Sequence, residues 1–447
     1  MHAYDPAIDA FAQQVFTFSR RRASEDVDGI ALGHPLRLEE LDALVGPTVS
    51  DDGIGAQEAL RLFTEVLEPA CLSVDFPRYL AFVPAAPTEV SILADLVVSA
   101  CSIYAGSWLE GAGAVWAENQ GLRWLADCAG LPPEAGGCFV SGGTLGNLSA
   151  LVAARAAATV RVGRRPPRWA VVAAESAHSS IATAAAVMDA DLVTVPGDRL
   201  TGTVLAPVLD AAGDRVFAVV ATAGTTNLGL IDDLASVADV CASAGVWFHV
   251  DAAYGGAALV SPTARPRFDG VERADSLIVD PHKWLFAPFD ACALLYRRPD
   301  DGKACHAQHA SYLAILSDRG DWNPSDFAVH LSRRARGLPF WFSVAAYGTR
   351  AYAAAVDRCL AVAQEAAELI RTAGHLALIA EPELSIVAFR RRGWGEDDYR
   401  DWSTRMLESG QALVVPSEHR GEPMLRLCIV NPRTSVDDIR LVVDSLG

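Results

Sequence analysis

Short apolar runs alternate with helical stretches through the middle of the chain. The runs at 138–140, 169–174, 192–195, 216–221, 246–250, 276–279 and 291–296 are separated by segments whose apolar residues recur every three to four positions. Three-to-four spacing marks one face of a helix, and a short, wholly apolar run marks a strand buried on both faces. Seven such strands interleaved with helices predict an α/β fold: a mostly parallel sheet with helices on both faces. Before the sheet, 7–20, 36–45 and 56–71 have helical spacing and are divided by Gly, Pro and Asp breaks. Such a segment cannot bury its apolar faces alone, so it is expected to lie across the larger body or a partner subunit. The proline-punctuated stretch 77–88 predicts an ordered loop, followed by helices at 89–105 and 113–128. After the sheet, one long helix is expected from about 340 to 373. A smaller α/β unit closes the chain, with strands at 383–389, 412–415 and 424–430 and helices at 397–408 and 435–446.

The polar signals cluster at the strands' carboxyl ends, where open α/β sheets bind ligands. Val140 runs into Ser141-Gly142-Gly143-Thr144, Ala174 into Glu175-Ser176-Ala177-His178, and Ala221 into Thr222-Ala223-Gly224-Thr225-Thr226. Val250 runs into Asp251-Ala252-Ala253-Tyr254, and Val279 into Asp280-Pro281-His282-Lys283. A site assembled from five distant pieces of chain is the simplest reading.

Composition narrows the class. At 447 residues, two or three domains are expected. A net charge of −18 argues against nucleic acid or an anionic membrane as partner. No stretch reaches the length of a membrane span, and the N-terminus lacks a basic region followed by an apolar core. The nine cysteines are scattered without CxxC spacing, which favours free thiols in a reducing cytoplasm.

Charge also singles out one residue. Among 37 basic residues only Lys283 and Lys303 are lysines. Arginine cannot lose its proton near neutrality, whereas a desolvated lysine can. A free amine at a strand end can form a Schiff base with a carbonyl compound, pyridoxal 5′-phosphate (PLP) included; a surface lysine is the plain alternative. Ser141-Gly142-Gly143-Thr144-Leu145-Gly146-Asn147 opens a helix, whose free N–H groups and dipole suit a monophosphate. Gly-rich strand-to-helix turns are common, and this one lacks the nucleoside-triphosphate pattern. Asp251 could keep a pyridine nitrogen protonated or simply cap a turn. His178 could stack on a flat ring, and His282 could contact a phosphate, although either could be a packed, hydrogen-bonded histidine. His306 and His309 have zinc-compatible spacing but no accompanying Cys or acidic ligand, so no metal is expected. No GxSxG elbow is present.

Together DPHKW at 280–284, HVDAAYGG at 249–256, ATAGTT at 221–226, SAHSS at 176–180 and SGGTLGN at 141–147 resemble the group II PLP-dependent amino-acid decarboxylases, in the same order along the chain. GSWLEGAG at 106–113 and LRLCIVNPRT at 425–434 look nearer the aromatic and bacterial branch. The resemblance implies the aspartate-aminotransferase-like fold (fold type I). Its divisions would be an N-terminal helical segment 1–75 on the partner subunit, a PLP-binding domain 76–340 with a mobile loop at about 303–332, and a small domain 341–447. It also implies roles. Lys283 would be the Schiff-base lysine, Asp251 the partner of the pyridine nitrogen, and Ala253 and His178 the two faces around the ring. Gly143, Thr144 and His282 would hold the phosphate, with Asp280 nearby, Thr226 would touch the ring hydroxyl, and Ser332 would be a further cofactor-binding residue. The family often has Asn at the Asp280 position. Tyr312, in the loop, would protonate the carbon left after CO₂ departs; relatives that make aldehydes tend to carry Phe there. Phe76, Phe82, Pro84, Tyr104 and Gly106 would line the substrate pocket. Phe76 stands where aromatic members often have His, and Gly106 beside Trp108 is expected to leave extra room. The activity implied is decarboxylation of an L-amino acid, with an aromatic or other apolar side chain preferred, by a cytoplasmic homodimer. The decarboxylation chemistry needs a protonated pyridine and a closing loop that excludes water and presents an acid.

Overall fold

The structure, a computed structural model, describes residues 6–24, 30–307 and 321–447. All seven expected strands form: β1 (Gly136–Val140), β2 (Ala170–Ala174), β3 (Asp191–Val195), β4 (Val216–Thr222), β5 (Trp247–Asp251), β6 (Ser276–Val279) and β7 (Cys292–Tyr296). They make one sheet in the order β1-β7-β6-β5-β4-β2-β3, in which β7 alone runs antiparallel to its neighbours. The reason for the apolar runs is visible in β2. Ala170, Val172 and Ala174 pack into one hydrophobic cluster, while Val171 and Ala173 pack into another on the opposite face. Register then sets the height of the functional groups. Thr222 pairs with Asp251, and Asp251 with Ile278, so β4, β5 and β6 finish at one level.

Three expectations need correction. The long helix is two, Leu338–Tyr347 and Thr349–Thr372, because Gly348 between them takes φ 78°, the left-handed region that ends a helix. Residues 412–415 form no strand; Leu413 makes a single bridge to Tyr79, pairing with the loop rather than with the small sheet. That sheet instead contains β8 (Leu376–Leu378), β9 (Ile386–Arg391), β10 (Ser417–His419) and β11 (Glu422–Cys428), in the order β10-β11-β9-β8. The two outer strands are three residues each, too short for a period to show.

The N-terminal segment folds as helices Ala7–Ser24, Leu38–Val45 and Ala56–Leu62, the last continuing as a π-helical turn Phe63–Leu67. It is tied down by Arg22, whose guanidinium is 2.7 Å from Asp75 and 3.3 Å from Glu68. Helix Leu38–Val45 buries none of its residues. No helix among the described residues is long and apolar enough to cross a membrane.

Candidate active site

The site begins where β1 turns into the helix Gly143–Val162. This helix presses directly on the sheet. A Cβ on Gly146 would lie 2.9 Å from Ile278 Cγ2 and 3.1 Å from Cys292 Sγ, so only glycine permits the approach. At Gly143 a Cβ would come within 3.2 Å of both Ala253 Cβ and Asp280 Oδ2. The helix's free amides therefore open onto the ends of β5 and β6.

One turn in, Asn147 links the groups around the site. Its Nδ2 donates to Asp251 Oδ2 at 2.8 Å and to Ser180 Oγ at 2.9 Å. Its Oδ1 lies 2.8 Å from His249 Nε2. Because the amide nitrogen is committed to the carboxylate, Oδ1 must accept, so His249 carries its proton on Nε2. His249 Nδ1 then accepts from Ser276 Oγ (2.8 Å), which in turn accepts from Trp247 Nε1 (2.8 Å). The chain of donors runs Trp247, Ser276, His249, Asn147, Asp251. Burial pushes His249 down to about 4, although Asp251 draws it up, so the imidazole stays neutral as this chain requires. Ala253 N donates to the other Asp251 oxygen at 3.1 Å. Asp251 is thus buried and held by two donors.

His178 is set by the same hub. Ser180 Oγ and Ser180 N approach its Nδ1 at 2.9 and 3.1 Å, making His178 the N-cap of the helix Ser179–Val187. Asn147 therefore holds Asp251 directly and reaches His178 through Ser180. Lys283, on the short turn Pro281–Trp284 after β6, points its Nζ at Asp280 Oδ2, 2.9 Å away. Burial alone would lower the Lys283 amine, but Asp280 and Asp251 hold it above the ordinary lysine value. Desolvation was expected to free this amine; in the chain without cofactor the ion pair outweighs it. His282 Nδ1 contacts the Ala291 carbonyl at 2.7 Å.

Gly143, Thr144, His178, Thr226, Asp251, Ala253, Asp280, His282, Lys283 and Phe82 line one cavity of about 400 Å³. The other sequence candidates lie elsewhere. Phe76 is buried in a cluster with Ile30, Leu32 and Tyr79, under the Arg78 guanidinium at 4.7 Å. Pro84 is buried and Ser332 exposed, and neither reaches the cavity wall. Tyr104 and Gly106 do not line it either, and Gly106 leaves no room. A Cβ there would lie 2.5 Å from Tyr104 Oη, which donates to the Leu331 carbonyl at 3.2 Å. Tyr312 lies outside the described residues.

Two further wall residues had no assignment from the sequence. Asn147 was visible only as the last letter of the glycine motif. Arg426 comes from β11 and is 8% exposed. Its Nη1 donates to the carbonyls of Thr226 (2.7 Å) and Phe82 (3.3 Å), and no carboxylate among the described residues pairs with it. An arginine between Leu425 and Leu427 in an otherwise buried strand was the available signal.

These residues fit PLP. The amide-lined cradle at Gly143 admits an anion that a larger residue would exclude. Asp251 is held as a fixed acceptor, and Lys283, whose side chain keeps a quarter of its surface exposed, lines the same cavity. Thr222 Oγ1, in the same wall, is shut off from solvent and has no hydrogen-bond partner among the described residues.

Similarity to known proteins agrees. A family model described as the pyridoxal-dependent decarboxylase conserved domain matches residues 39–392. An aromatic-L-amino-acid decarboxylase of Bacillus atrophaeus is 28% identical over 451 residues, covering 97% of this chain and 92% of that protein. An L-2,4-diaminobutyrate decarboxylase of Rhizobium meliloti is 33% identical over 432 residues, covering 92% and 84%. The crystal structure of Oryza sativa TDC with PLP and tryptamine superposes with a TM-score of 0.90 at 25% identity, covering 99% of this chain and 98% of that one. The chain belongs to the pyridoxal-dependent decarboxylase family and is a PLP-dependent amino-acid decarboxylase, a lyase of the group II type.

Proposed function

We propose that this decarboxylase acts on an L-amino acid with an aromatic or other apolar side chain, releasing the amine and CO₂, as a cytoplasmic homodimer. The observation that carries the substrate class is the cavity edge: Phe82, 55% exposed, stands there beside Val83. The residues divide the work. Lys283 would hold the cofactor covalently. Asp251 would keep its ring nitrogen protonated, steadied by Asn147 and the Ala253 amide. The amides at Gly143, with Thr144 and His282, would bind the phosphate. His178 and Ala253 would pack on the ring, and Thr226 would meet its hydroxyl. When bound, PLP supplies the electron sink for the bond to the departing carboxylate. Arg426 would draw in the substrate carboxylate, Phe82 would exclude water, and Tyr312 would deliver the proton to Cα once CO₂ has gone. The homodimer rests on helix Leu38–Val45, which buries none of its residues against the rest of the described chain. The cytoplasmic assignment rests on nine free cysteines.

The test is CO₂ release with PLP present from a panel of aromatic, aliphatic, acidic and diamino acids. Aromatic or aliphatic substrates should give the highest kcat/KM, with amine as product. A preference for 2,4-diaminobutyrate or an acidic amino acid would refute the substrate class. Tyr312→Phe should divert product toward aldehyde and ammonia; an unchanged amine yield removes Tyr312 from the mechanism. Full activity in a sedimenting monomer would refute the dimer.

A further inference from the structure

Asp280 is a charged group in an expensive place. It follows β6, and its side chain is 1% exposed. Lys283 Nζ is 2.9 Å from its Oδ2, and His282 Nε2 is 3.8 Å from the same oxygen. That oxygen also lies 3.2 Å from where a Gly143 Cβ would sit, so the carboxylate abuts the cradle at the head of helix Gly143–Val162. Among the described residues, the groups that face this pair are few. Lys283 and His282 come from its own turn, Asp251 from β5 and the Cys292 thiol from β7; the helix contributes neutral amides. Burial alone would raise the carboxyl and lower the amine. Their mutual attraction, helped by His282 for the carboxyl and by Asp251 for the amine, outweighs burial for both, leaving the carboxyl below its usual range and the amine above.

Two consequences follow for a chain that must acquire PLP. An ammonium has no lone pair with which to attack an aldehyde. A carboxylate at the cradle also repels an incoming phosphate, in a buried setting where like charges interact strongly. We propose that Asp280 is a brake on cofactor capture: it holds Lys283 as an ammonium in the cofactor-free chain and sets a negative charge against the phosphate cradle, so that loading is slow at neutral pH and quickens as pH rises. The proposal rests on the PLP-decarboxylase reading of the site. In the step it governs, the ammonium proton passes to solvent and the Lys283 nitrogen adds to the aldehyde carbon. A carbon–nitrogen double bond forms, the carbonyl oxygen leaves as water, and nothing is oxidised or reduced.

The experiment uses the full chain stripped of cofactor and follows PLP association by absorbance from pH 6 to 9. The wild-type rate should climb with pH. Asp280→Asn should associate about tenfold faster or more at pH 7, since each unit by which the amine's pKa falls gives a tenfold gain in free amine, and its climb should begin at lower pH. Pyridoxamine 5′-phosphate, which cannot form the bond, should bind Asp280→Asn more tightly than wild type. Asp280→Glu keeps the charge and should stay slow. An unchanged rate and pH profile in Asp280→Asn, or weaker binding of both ligands, overturns the brake. So does a flat wild-type profile, which needs no variant to fold. A failure of the underlying reading is distinguishable, because the wild type would then take up no PLP at any pH.

Discussion

The floor of the cavity and its substrate-facing wall are built in opposite ways. The floor stands on the ends of β1, β4, β5 and β6, whose register fixes Thr222, Asp251 and Ile278 at one height. Its side chains are interlocked, and Asn147 alone reaches Asp251, Ser180 and His249. The wall is assembled from pieces far apart in sequence and outside the large sheet: Phe82 from a loop, in the left-handed backbone region at φ 55°, and, from the small sheet, Arg426, which donates to the Phe82 carbonyl. Cofactor chemistry is common to a whole family and so sits on the rigid sheet. On the proposed reading, substrate choice would fall to parts that can change without disturbing the strands.

The largest effect that tests this division is on the floor. Lys283→Ala should reduce turnover by about 10³-fold or more, the scale of losing a covalent catalytic group. Borohydride should then fix no cofactor to the chain by mass spectrometry; a reducible adduct in the variant would remove Lys283 from its role. Next comes Asn147→Leu. It strips a donor from Asp251 and an acceptor from His249, and each buried group left unpaired costs about 1–3 kcal/mol. The free energy of unfolding should fall by about 2–6 kcal/mol, and kcat by about 10- to 100-fold as Asp251 and His178 lose their alignment. If kcat holds while stability falls, Asn147 is only a brace.

The wall should respond differently. An ion pair from Arg426 to the substrate carboxylate is strongest before the bond breaks and fades as neutral CO₂ forms. It therefore helps binding more than the chemical step. Arg426→Met should raise KM about 10- to 30-fold with kcat nearly unchanged, the signature of lost ground-state binding. An equal loss in kcat alone would mean that Arg426 serves the floor through the Thr226 carbonyl it holds.

This division also sets what was legible in the sequence. The floor was readable because strands buried on both faces must be apolar throughout, and each ends in a contiguous motif such as 249–256 or 280–284. The wall was not, because no local pattern says which loop residue folds over a strand end. Phe76 and Phe82 are six positions apart in one loop, yet one is core and the other cavity edge. Gly106 read as open space because a sequence cannot show that the ring of Tyr104, two residues earlier, fills it. Gly348 passed unnoticed because the amphipathic period continues on both sides of it. Arg426 was the readable exception, as a charge inside an apolar strand.

The smallest expected effect asks whether the floor's hydrogen-bond chain registers as stability. His249 is held neutral in the fold, down to about 4, and burial with the nearby Arg333 charge holds His330 there too. An unfolded histidine titrates near 6.5. Between those values the unfolded chain binds more protons, so stability must fall as pH drops through the window. Asp232 opposes this. Burial raises it to about 6, so the folded chain gains its proton first and is stabilised by acid over the same range. Burial also lowers His306 and raises Asp275, which act in opposite senses; the two histidines at about 4 against the Asp232 carboxyl leave a net loss of about 1 kcal/mol from pH 6 to pH 5. Asp232→Asn removes the opposing group and should steepen the loss to about 2 kcal/mol. Urea melts of the cofactor-free chain at the two pH values measure both. A stability that rises on acidification would mean that His249 is protonated in the fold. The donor chain from Trp247 to Asp251 could not then run as drawn, since a charged His249 would donate from both nitrogens and Ser276 would have to turn its own proton elsewhere.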